Sequence, residues 1–467
     1  MIRTKIICTI GPASDSVDMI EKLAKAGMNI ARLNFSHSSY DEHLDRIKKI
    51  NDINSKRLAP VGIMLDTRGP EIRLGNFKHP VILIKGDEIT ITTTETICDD
   101  KIISVSYKNL HKQLKVNDLI YISDGTIELK VKKITGNDIL CEVIEGGEVN
   151  SRKNVSVPGV IVDLPSIDEK DIRDIEFGAK NQIDFVAQSW VRSAKDVIDL
   201  KNLLKKNNSG ALIIAKIECL QGIKNIDQII AAADGIMVAR GDLGVQIPIE
   251  QVPNAQKMII RKCNRAGKPV IVATQMLESM TKNPRPTRAE VTDVANAIID
   301  GTDAIMLSGE TAIGKFPLKA VEMMQKIANQ IEPRMDFKSD PYSRSKLSIE
   351  DSLSKNVCQT AHEVKAKAII TCTLSGHTAK VISRKKPTTT IIAVTPKKKE
   401  IKKLNLWWGV HPLLIEKPKS ADSLMENAID LVLKRGLIKR GDIVVITAGI
   451  PFTTPGNMNM MKVQIVK

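Results

Sequence analysis

The sequence is poor in aromatic residues, and it contains no long hydrophobic run. Phe, Trp and Tyr make up 3% of the 467 residues, which leaves little material for the base stacking by which proteins bind single-stranded nucleic acid. No segment approaches the ~18 consecutive apolar residues of a membrane-spanning helix. The first apolar stretch ends at Gly11-Pro12, too early for a secretory signal. We therefore expect a soluble protein that associates with neither nucleic acid nor membrane.

Cysteine is also scarce, and its distribution lacks any regular spacing. The chain has 7 cysteines and no Cys-x-x-Cys pair. An odd number without metal-ligand spacing indicates reduced thiols rather than disulfides or a zinc site. This pattern predicts a cytoplasmic protein.

Acidic residues are under-represented towards the end of the chain. The net charge is +15, and residues 341–467 carry 22 Lys and Arg against 9 Asp and Glu, a net charge of +13. A basic terminal segment of this kind is compatible with nucleic-acid binding, with binding of a phosphorylated small molecule, or with solubility alone.

Short apolar runs alternate with helical patterns over the first two-thirds of the chain. Most are continuously apolar, as expected for strands buried on both faces of a parallel sheet. They cover Thr4–Ile10, Asn29–Asn34, Val61–Thr67, Phe185–Ser189, Leu212–Glu218, Gly235–Asp242, Val270–Gln275 and Ala304–Gly309. Eight such repeats predict an α/β fold with a (β/α)8 TIM barrel.

Two further regions differ from this repeat. Residues 74–158 show two-residue alternation and Gly-containing turn signals, which predict a small inserted β-barrel domain. Residues 341–467 return to strand–helix alternation and predict an open α/β sheet. The barrel is then expected to comprise residues 1–73 and 159–340.

Polar residues follow the apolar strands at the positions where such barrels place their active sites. Glu218 and Asp242 supply two hard oxygen ligands suited to Mg²⁺ or Mn²⁺. Lys216 is a cation suited to a transferring phosphoryl group. A second set offers oxygens and an amide for another cation, and it comprises Asn34, Ser36, Asp66 and Thr67.

Long segments of the chain resemble the pyruvate kinase family, in order and over almost the whole length. They read TKIICTIGPAS, ARLNFSH, DTRGPEIR, AKIE, GIMVARGDLGV, KPVIVATQMLESM, PRPTRAEVTDVANAIIDGTDAIMLSGETA and GDIVVITAGIP. The resemblance implies phosphoryl transfer from phosphoenolpyruvate to ADP, the last step of glycolysis. It also implies a mobile insert, a regulatory C-terminal domain and a homotetramer.

The resemblance also assigns roles by position. The divalent-metal ligands would be Glu218 and Asp242, and the K⁺ ligands Asn34, Ser36, Asp66 and Thr67. Phosphoenolpyruvate would contact Arg32, Lys216, Gly241, Asp242 and Thr274. The nucleotide would lie near Pro12, Asn34, His37 and Arg73. Catalysis would depend on Lys216 and Arg32, with Thr274 and Ser308 on a proton path.

Single positions refine this expectation. Glu71 is the residue that accompanies K⁺ dependence in the family, so we expect activity to require K⁺. Ser193 stands where relatives often carry Lys or Arg, which puts one nucleotide contact in doubt, and Gln246 replaces a frequent Glu.

A loop in the C-terminal region matches the family's effector site for a sugar phosphate or a nucleotide. It contains Thr373, Ser375, Gly376, His377 and Thr378. Hydroxyl and backbone N–H groups between a strand and a helix suit a phosphate. The alternative is a plain helix cap. Allosteric activation is expected if the first interpretation holds.

Three other interpretations compete with this one. A barrel aldolase or lyase would use a similar metal pair without ADP. A nucleic-acid-binding protein would use the basic C-terminal region. The segment 309–315 resembles a phosphate-binding P-loop, but Phe316 stands where Ser or Thr is required, which favours a simple turn after the eighth strand.

Overall fold

The structure is a computed structural model that describes residues 2–57, 59–160, 162–335, 348–416, 421–450 and 458–467. The predicted domain boundary between residues 340 and 341 lies outside these ranges. No helix in the described ranges has the length and apolar character needed to cross a membrane.

Eight parallel strands form a closed barrel, and this confirms the predicted fold class. In chain order, barrel strands 1 to 8 are Lys5–Thr9, Met28–Asn34, Gly62–Asp66, Phe185–Gln188, Leu212–Ile217, Gly235–Ala239, Val270–Ala273 and Ala304–Leu307. Most of their side chains are buried because helices cover the outside of the barrel and side chains fill its interior. Barrel strand 6 is shorter than predicted, since the helix Arg240–Gln246 begins directly after Ala239.

Helices surround the barrel in alternation with its strands. They are Val17–Lys25, Tyr40–Ser55, Glu169–Lys180, Ala194–Lys206, Leu220–Lys224, Ile226–Ala232, Arg240–Gln246, Val252–Ala266, Arg288–Ile299, Gly309–Ala312 and Pro317–Ile331. Several begin at reciprocal capping boxes, such as Ser39 with Glu42, which satisfy backbone N–H groups at the helix start. The turn predicted for residues 309–315 contains the short helix Gly309–Ala312, and Gly314 N donates to Gly309 O at 2.9 Å.

Buried aspartates secure the base of the barrel, where the strands begin. Asp184 Oδ2 accepts a hydrogen bond of 2.9 Å from Ile63 N on the neighbouring strand. Asp234 and Asp303 make equivalent bonds to other strands, at 2.9 and 3.0 Å. Each aspartate therefore satisfies a backbone N–H group that has no ladder partner at the strand start.

The insert contains a curled seven-stranded sheet and a separate pair of strands. Its strands are Ile72–Arg73, Val81–Leu83, Glu88–Thr92, Ile102–Ser104, Leu119–Ile122, Ile127–Thr135, Asp138–Glu145, Gly147–Val149 and Asn154–Ser156, with one short helix, Leu110–Gln113. An isolated bridge between Leu74 and Val105 brings the two edges of the larger sheet together. The insert has its own apolar core.

The C-terminal region forms a five-stranded sheet, with four parallel strands and one antiparallel edge strand. In spatial order the strands are Val410–Leu414, Thr390–Thr395, Ala368–Cys372, Ile443–Ala448 and Met460–Ile465. Its helices are Ile349–Glu363, His377–Ser383, Lys398–Leu404 and Ala421–Lys434. It packs against the base of the barrel, because apolar side chains of both regions share one core cluster.

Candidate active site

A buried lysine stands at the centre of the barrel mouth. Lys216 Nζ lies 3.0 Å from Asp66 Oδ1, 3.0 Å from Glu218 Oε1 and 2.7 Å from Ser189 Oγ. Burial by itself would lower the pKa of Lys216, but the two carboxylates raise it overall. The ammonium group is therefore charged and fixed in position.

Arg32 adds a second cation beside it. Arg32 Nε donates to Asp66 Oδ2 at 2.5 Å, and Nη1 donates to Thr9 Oγ1 at 2.9 Å. Burial would raise the pKa of Asp66, but Arg32 and Lys216 outweigh it and lower that pKa. The structure thus joins barrel strands 2, 3 and 5 through one ionised carboxylate.

Glu218 and Asp242 form the neighbouring acidic part of the mouth. Burial raises the pKa of Glu218 to about 7, with Lys216 opposing this shift and Asp242 adding to it. Burial also raises the pKa of Asp242. A buried carboxylate and a half-buried one that repel each other fit a divalent cation, which would relieve the repulsion.

This acidic pair does not form a complete metal site by itself. In the ranges that the structure describes, no group of three or more His, Cys, Asp or Glu side chains is placed to hold a metal ion. A cation at Glu218 and Asp242 would therefore take its other ligands from substrate or water, which is the usual arrangement for Mg²⁺ at phosphate substrates.

The turns after barrel strands 6 and 7 are joined at Thr274. Gly241 N donates to Thr274 Oγ1 at 2.8 Å, and Thr274 Oγ1 donates to Ala273 O at 2.6 Å. Thr274 and Gln275 both have positive φ, at 66° and 52°. This backbone is unfavourable for residues with a Cβ, so the surrounding contacts must maintain it.

Ser308 follows barrel strand 8 at the same end of the barrel. Its backbone N donates to Glu310 Oε2 at 2.7 Å, and Glu310 Oε1 accepts from Leu277 N at 3.0 Å. The Oγ of Ser308 is buried and has no hydrogen-bond partner in the described part of the chain. An unpartnered hydroxyl at this place is available to substrate or water.

The four predicted K⁺ ligands come together at the ends of barrel strands 2 and 3. Asn34 and Asp66 are partners in the strand register, and Asn34 Oδ1 accepts from Ser36 N at 3.1 Å. Thr67 Oγ1 accepts from Ser189 N at 3.1 Å. Asp66 itself uses both oxygens to bind Arg32 and Lys216.

The predicted nucleotide residues occupy two sides of the mouth. Pro12 and His37 are exposed after barrel strands 1 and 2. Arg73 lies on an edge strand of the insert, where its Nε donates to Glu71 Oε2 at 2.9 Å. Glu71 and Asp242 both line a cavity of about 180 Å³ between insert and barrel.

The predicted effector loop lies apart from this mouth, after the C-terminal strand Ala368–Cys372. Thr373 and Thr378 are buried, Ser375 is half-buried, and Gly376 has φ 77°, in the left-handed region that favours glycine. His377 Nε2 lies 3.0 Å from Glu350 Oε2.

Sequence reasoning missed several residues that shape the site. They are Thr9, Ser189, Trp190 and Glu310. Trp190 N donates to Glu218 Oε2 at 2.6 Å, and Ser189 Oγ holds Lys216. Thr9 and Ser189 lie at strand ends, so the rule that identified Lys216 also applies to them. Glu310 lies just beyond barrel strand 8, in the helix Gly309–Ala312. Trp190 acts through its backbone, which leaves no signal in the sequence.

An eight-stranded barrel with paired cations and carboxylates at the carboxyl ends of its strands defines an enzyme that handles an anionic substrate. The family model described as pyruvate kinase, barrel domain, matches residues 1–321, and the model described as pyruvate kinase, alpha/beta domain, matches residues 351–464. The chain belongs to the pyruvate kinase family, and so to the phosphotransferases.

Individual relatives agree with the family models. Proteins named pyruvate kinase from Staphylococcus epidermidis and Staphylococcus aureus are each 46% identical to this chain over 472 residues, covering 100% of it and 81% of the relative. The crystal structure of a pyruvate kinase from Cryptosporidium parvum superposes with a TM-score of 0.95 at 39% identity, covering 100% of this chain and 96% of that one.

Proposed function

We propose that this chain transfers the phosphoryl group of phosphoenolpyruvate to ADP and forms pyruvate and ATP, the final step of glycolysis. The observation that carries the proposal is the position of Lys216, a buried ammonium group at the barrel mouth between Asp66 and Glu218. Phosphoryl transfer needs fixed positive charge where the phosphoryl oxygens move, because charge spreads over them in the transition state.

Lys216 and Arg32 supply that charge. Both residues are buried, and both are held by Asp66. Their positions are therefore set before the substrate binds, which reduces the reorganisation that the reaction requires. In this proposal the two cations contact the phosphoryl group of phosphoenolpyruvate.

Glu218 and Asp242 would hold Mg²⁺ or Mn²⁺. The pyruvate kinase family depends on metal ions, and the repulsion between these two carboxylates supports this pair as the site. A cation held there would act as a Lewis acid and would neutralise negative charge on the substrate. The backbone at Gly241 and Asp242 lies beside Thr274 and would orient the carboxylate.

The enolpyruvate that remains must gain a proton at carbon. Thr274 Oγ1 lies beside the proposed substrate position, and Ser308 Oγ is buried with no partner in the described ranges. We assign both hydroxyls to a water-mediated proton path, since hydroxyls can both accept and donate.

A monovalent cation would complete the charge balance. The oxygen ligands would come from Asn34, Ser36, Asp66 and Thr67. A lysine at position 71 could replace the positive charge of K⁺, but Glu71 cannot, so the ion itself would be needed. Activity should therefore fall when K⁺ is replaced by tetramethylammonium, which is too large for such a site. Undiminished activity would contradict K⁺ dependence while leaving the kinase assignment intact.

The insert, residues 74–158, would act as a lid on the barrel of residues 1–73 and 159–340. Arg73, on the short strand that leads from the barrel into the insert, would contact the nucleotide from one side. Pro12, Asn34 and His37, on the barrel, would contact it from the other. Closure would keep out water that otherwise accepts the phosphoryl group.

The C-terminal domain, residues 341–467, would carry the regulation. The loop of Thr373, Ser375, Gly376, His377 and Thr378 would bind an activating sugar phosphate or nucleotide in a homotetramer. Titration of sugar phosphates and AMP at low substrate concentration tests this, and an unchanged apparent affinity with all of them would contradict it. All seven cysteines are described, and each is a buried free thiol, which supports a cytoplasmic location.

The first experiment measures pyruvate formation from phosphoenolpyruvate and Mg²⁺, with and without ADP and with and without K⁺. We expect activity that requires both. Activity without ADP would favour a lyase or an aldolase. Absence of activity with ADP, K⁺ and candidate effectors would overturn the proposal.

A further inference from the structure

We propose that Arg240 and Asp293 are positioning residues for this reaction. Together they hold the turn after barrel strand 7 and thereby fix the hydroxyl of Thr274. The inference rests on the proposed function, because it concerns how Thr274 reaches the substrate.

Arg240 uses Nε and Nη2 of its guanidinium group on this turn. Nη2 donates to Thr274 O at 2.7 Å and to Gln275 O at 3.3 Å, and Nε donates to Ala273 O at 3.3 Å. Three consecutive carbonyl groups are therefore held by one side chain, which is 10% exposed. A planar group with fixed donors suits this task, and a lysine could not replace it.

The turn needs such support because of its backbone. Thr274 and Gln275 adopt φ of 66° and 52°, and a left-handed conformation is costly for residues with a Cβ. Their carbonyl oxygens point at Arg240, so the guanidinium stabilises the left-handed pair directly. Loss of these bonds would let the turn relax and displace Thr274 Oγ1.

Asp293 orients the arginine. It comes from the helix Arg288–Ile299, and its carboxylate lies 2.7 Å from Arg240 Nη1. It also neutralises a guanidinium that is nine-tenths buried, which would otherwise carry an unpaired charge. A cavity of about 480 Å³ adjoins the pair. A shorter side chain at position 293 should therefore enlarge this cavity and leave the packing of the core intact.

The same segment also carries other site residues. Arg240 directly precedes Gly241, whose N donates to Thr274 Oγ1 at 2.8 Å, and Asp242, the proposed metal ligand. Bonds donated by Arg240 and by Gly241 to Thr274 thus tie the turns after barrel strands 6 and 7. A change at Asp293 should therefore affect the reaction although this residue touches no substrate.

The test compares Asp293→Ala with Asp293→Asn in the full-length protein. We expect Asp293→Ala to lower kcat about tenfold while KM for ADP stays within about twofold, since positioning effects of this kind act on the chemical step. Asp293→Asn keeps an oxygen acceptor for Arg240 and should restore kcat to within about threefold of the parent.

A matched control is Asp227→Ala, which removes an ion pair on the exposed surface, between Asp227 and Lys262 at 2.6 Å. It should leave kcat unchanged. Should Asp293→Ala fail to fold, Arg240→Lys replaces it, because Lys keeps the charge for Asp293 and loses the carbonyl bonds. It should lower kcat about tenfold at unchanged melting temperature.

The outcomes separate the two proposals. An inactive parent protein overturns the proposed function and this inference with it. An active parent with full kcat in Asp293→Ala, or in Arg240→Lys where that variant replaces it, overturns the positioning role alone. Two outcomes would assign the pair a purely structural role. In the first, Asp293→Asn does not restore the kcat that Asp293→Ala loses. In the second, the loss of kcat follows a loss of melting temperature.

Discussion

The two ends of the barrel use the same chemistry, buried lysine with buried aspartate, in different ways. At the base, Lys386 Nζ from the C-terminal domain lies 2.6 Å from Asp303 Oδ1, and the other oxygen of Asp303 accepts from Val270 N at 3.0 Å. At the mouth, Lys216 shares Asp66 and Glu218. Both are buried ion networks, yet they differ in how fully their charges are balanced.

At the base, both oxygens of Asp303 have partners, and the pair joins two domains. At the mouth, burial raises the pKa of both Glu218 and Asp242, and the Oγ of Ser308 has no partner in the described ranges. Charged and polar groups that lack partners in the folded protein cost stability. Proteins are expected to keep such groups where a ligand supplies the missing partner. This difference fits a structural role for the base and supports the proposed role of the mouth in binding and chemistry.

Substitution at Lys216 should give the largest effect. Lys216→Met removes the central cation, and we expect kcat to fall at least about 1,000-fold, which corresponds to about 4 kcal/mol of transition-state stabilisation. Pyruvate formation at saturating substrates measures this.

The control for this prediction is Lys257→Met, which breaks a partly exposed pair with Asp300 at 2.5 Å. Its kcat should stay within about twofold of the parent, as usual for surface pairs. A Lys216→Met variant that retained a tenth of the activity would show that the mouth does not depend on this cation.

The corresponding change at the base should act on stability. Lys386→Met leaves Asp303 as an uncompensated buried charge, and we expect the free energy of unfolding to fall by about 3 kcal/mol. The kcat of the folded protein should remain within about twofold. Urea denaturation measures the first quantity, and a large loss of kcat without loss of stability would remove the distinction between the two ends.

Most of the fold could be predicted from the sequence because buried parallel strands leave continuous apolar runs. Lys216, Glu218 and Asp242 were recognisable because polar side chains interrupt such runs where the strands end. Strand 6 was predicted too long, since Arg240 begins a helix directly after the strand. Periodicity alone does not separate these two conformations in a short segment.

Other features had no sequence signal. The left-handed backbone of Thr274 and Gln275 depends on bonds from Arg240, which lies 34 residues from Thr274 in the chain. The role of Asp184 at the strand base depends on Ile63 of the neighbouring strand, which lies 121 residues earlier in the chain. Both are products of tertiary contact, and a single sequence does not encode them locally.

Asp184 offers a test of the base through pH. Burial raises its pKa to about 6, with Lys402 and Lys403 opposing the shift, whereas an unfolded Asp has a pKa of about 3.9. Below pH 4 the group is protonated in both states and burial costs little. As the pH rises through 6, the buried carboxyl must ionise, so its contribution to stability is lost.

Asp184→Asn does not titrate, and its amide oxygen can keep the bond to Ile63 N. Between pH 4 and pH 8, the free energy of unfolding should therefore shift in favour of the variant by about 2 kcal/mol relative to the parent. Paired urea denaturation curves at both pH values give this difference. A shift of opposite sign would mean that Asp184 is stabilised as a carboxylate, like Asp66 at the mouth.

The smallest effect is expected at the connection between the mouth and the insert. Arg192 donates from Nη1 to Val162 O at 2.7 Å and from Nη2 to Leu164 O at 2.5 Å, on the segment that leads back from the insert to the barrel. Arg192→Met removes both bonds, and the insert should then close less often in the correct orientation. We expect kcat to fall about tenfold, as for other changes that affect lid closure, with little change in melting temperature.

The control is Arg173→Met, which removes an exposed arginine paired with Glu169 at 4.0 Å and should have no effect. An unchanged kcat in Arg192→Met would mean that the mouth works without this connection, and the insert would then be held through its other connection, where Arg68 binds Asp168 at 2.6 Å.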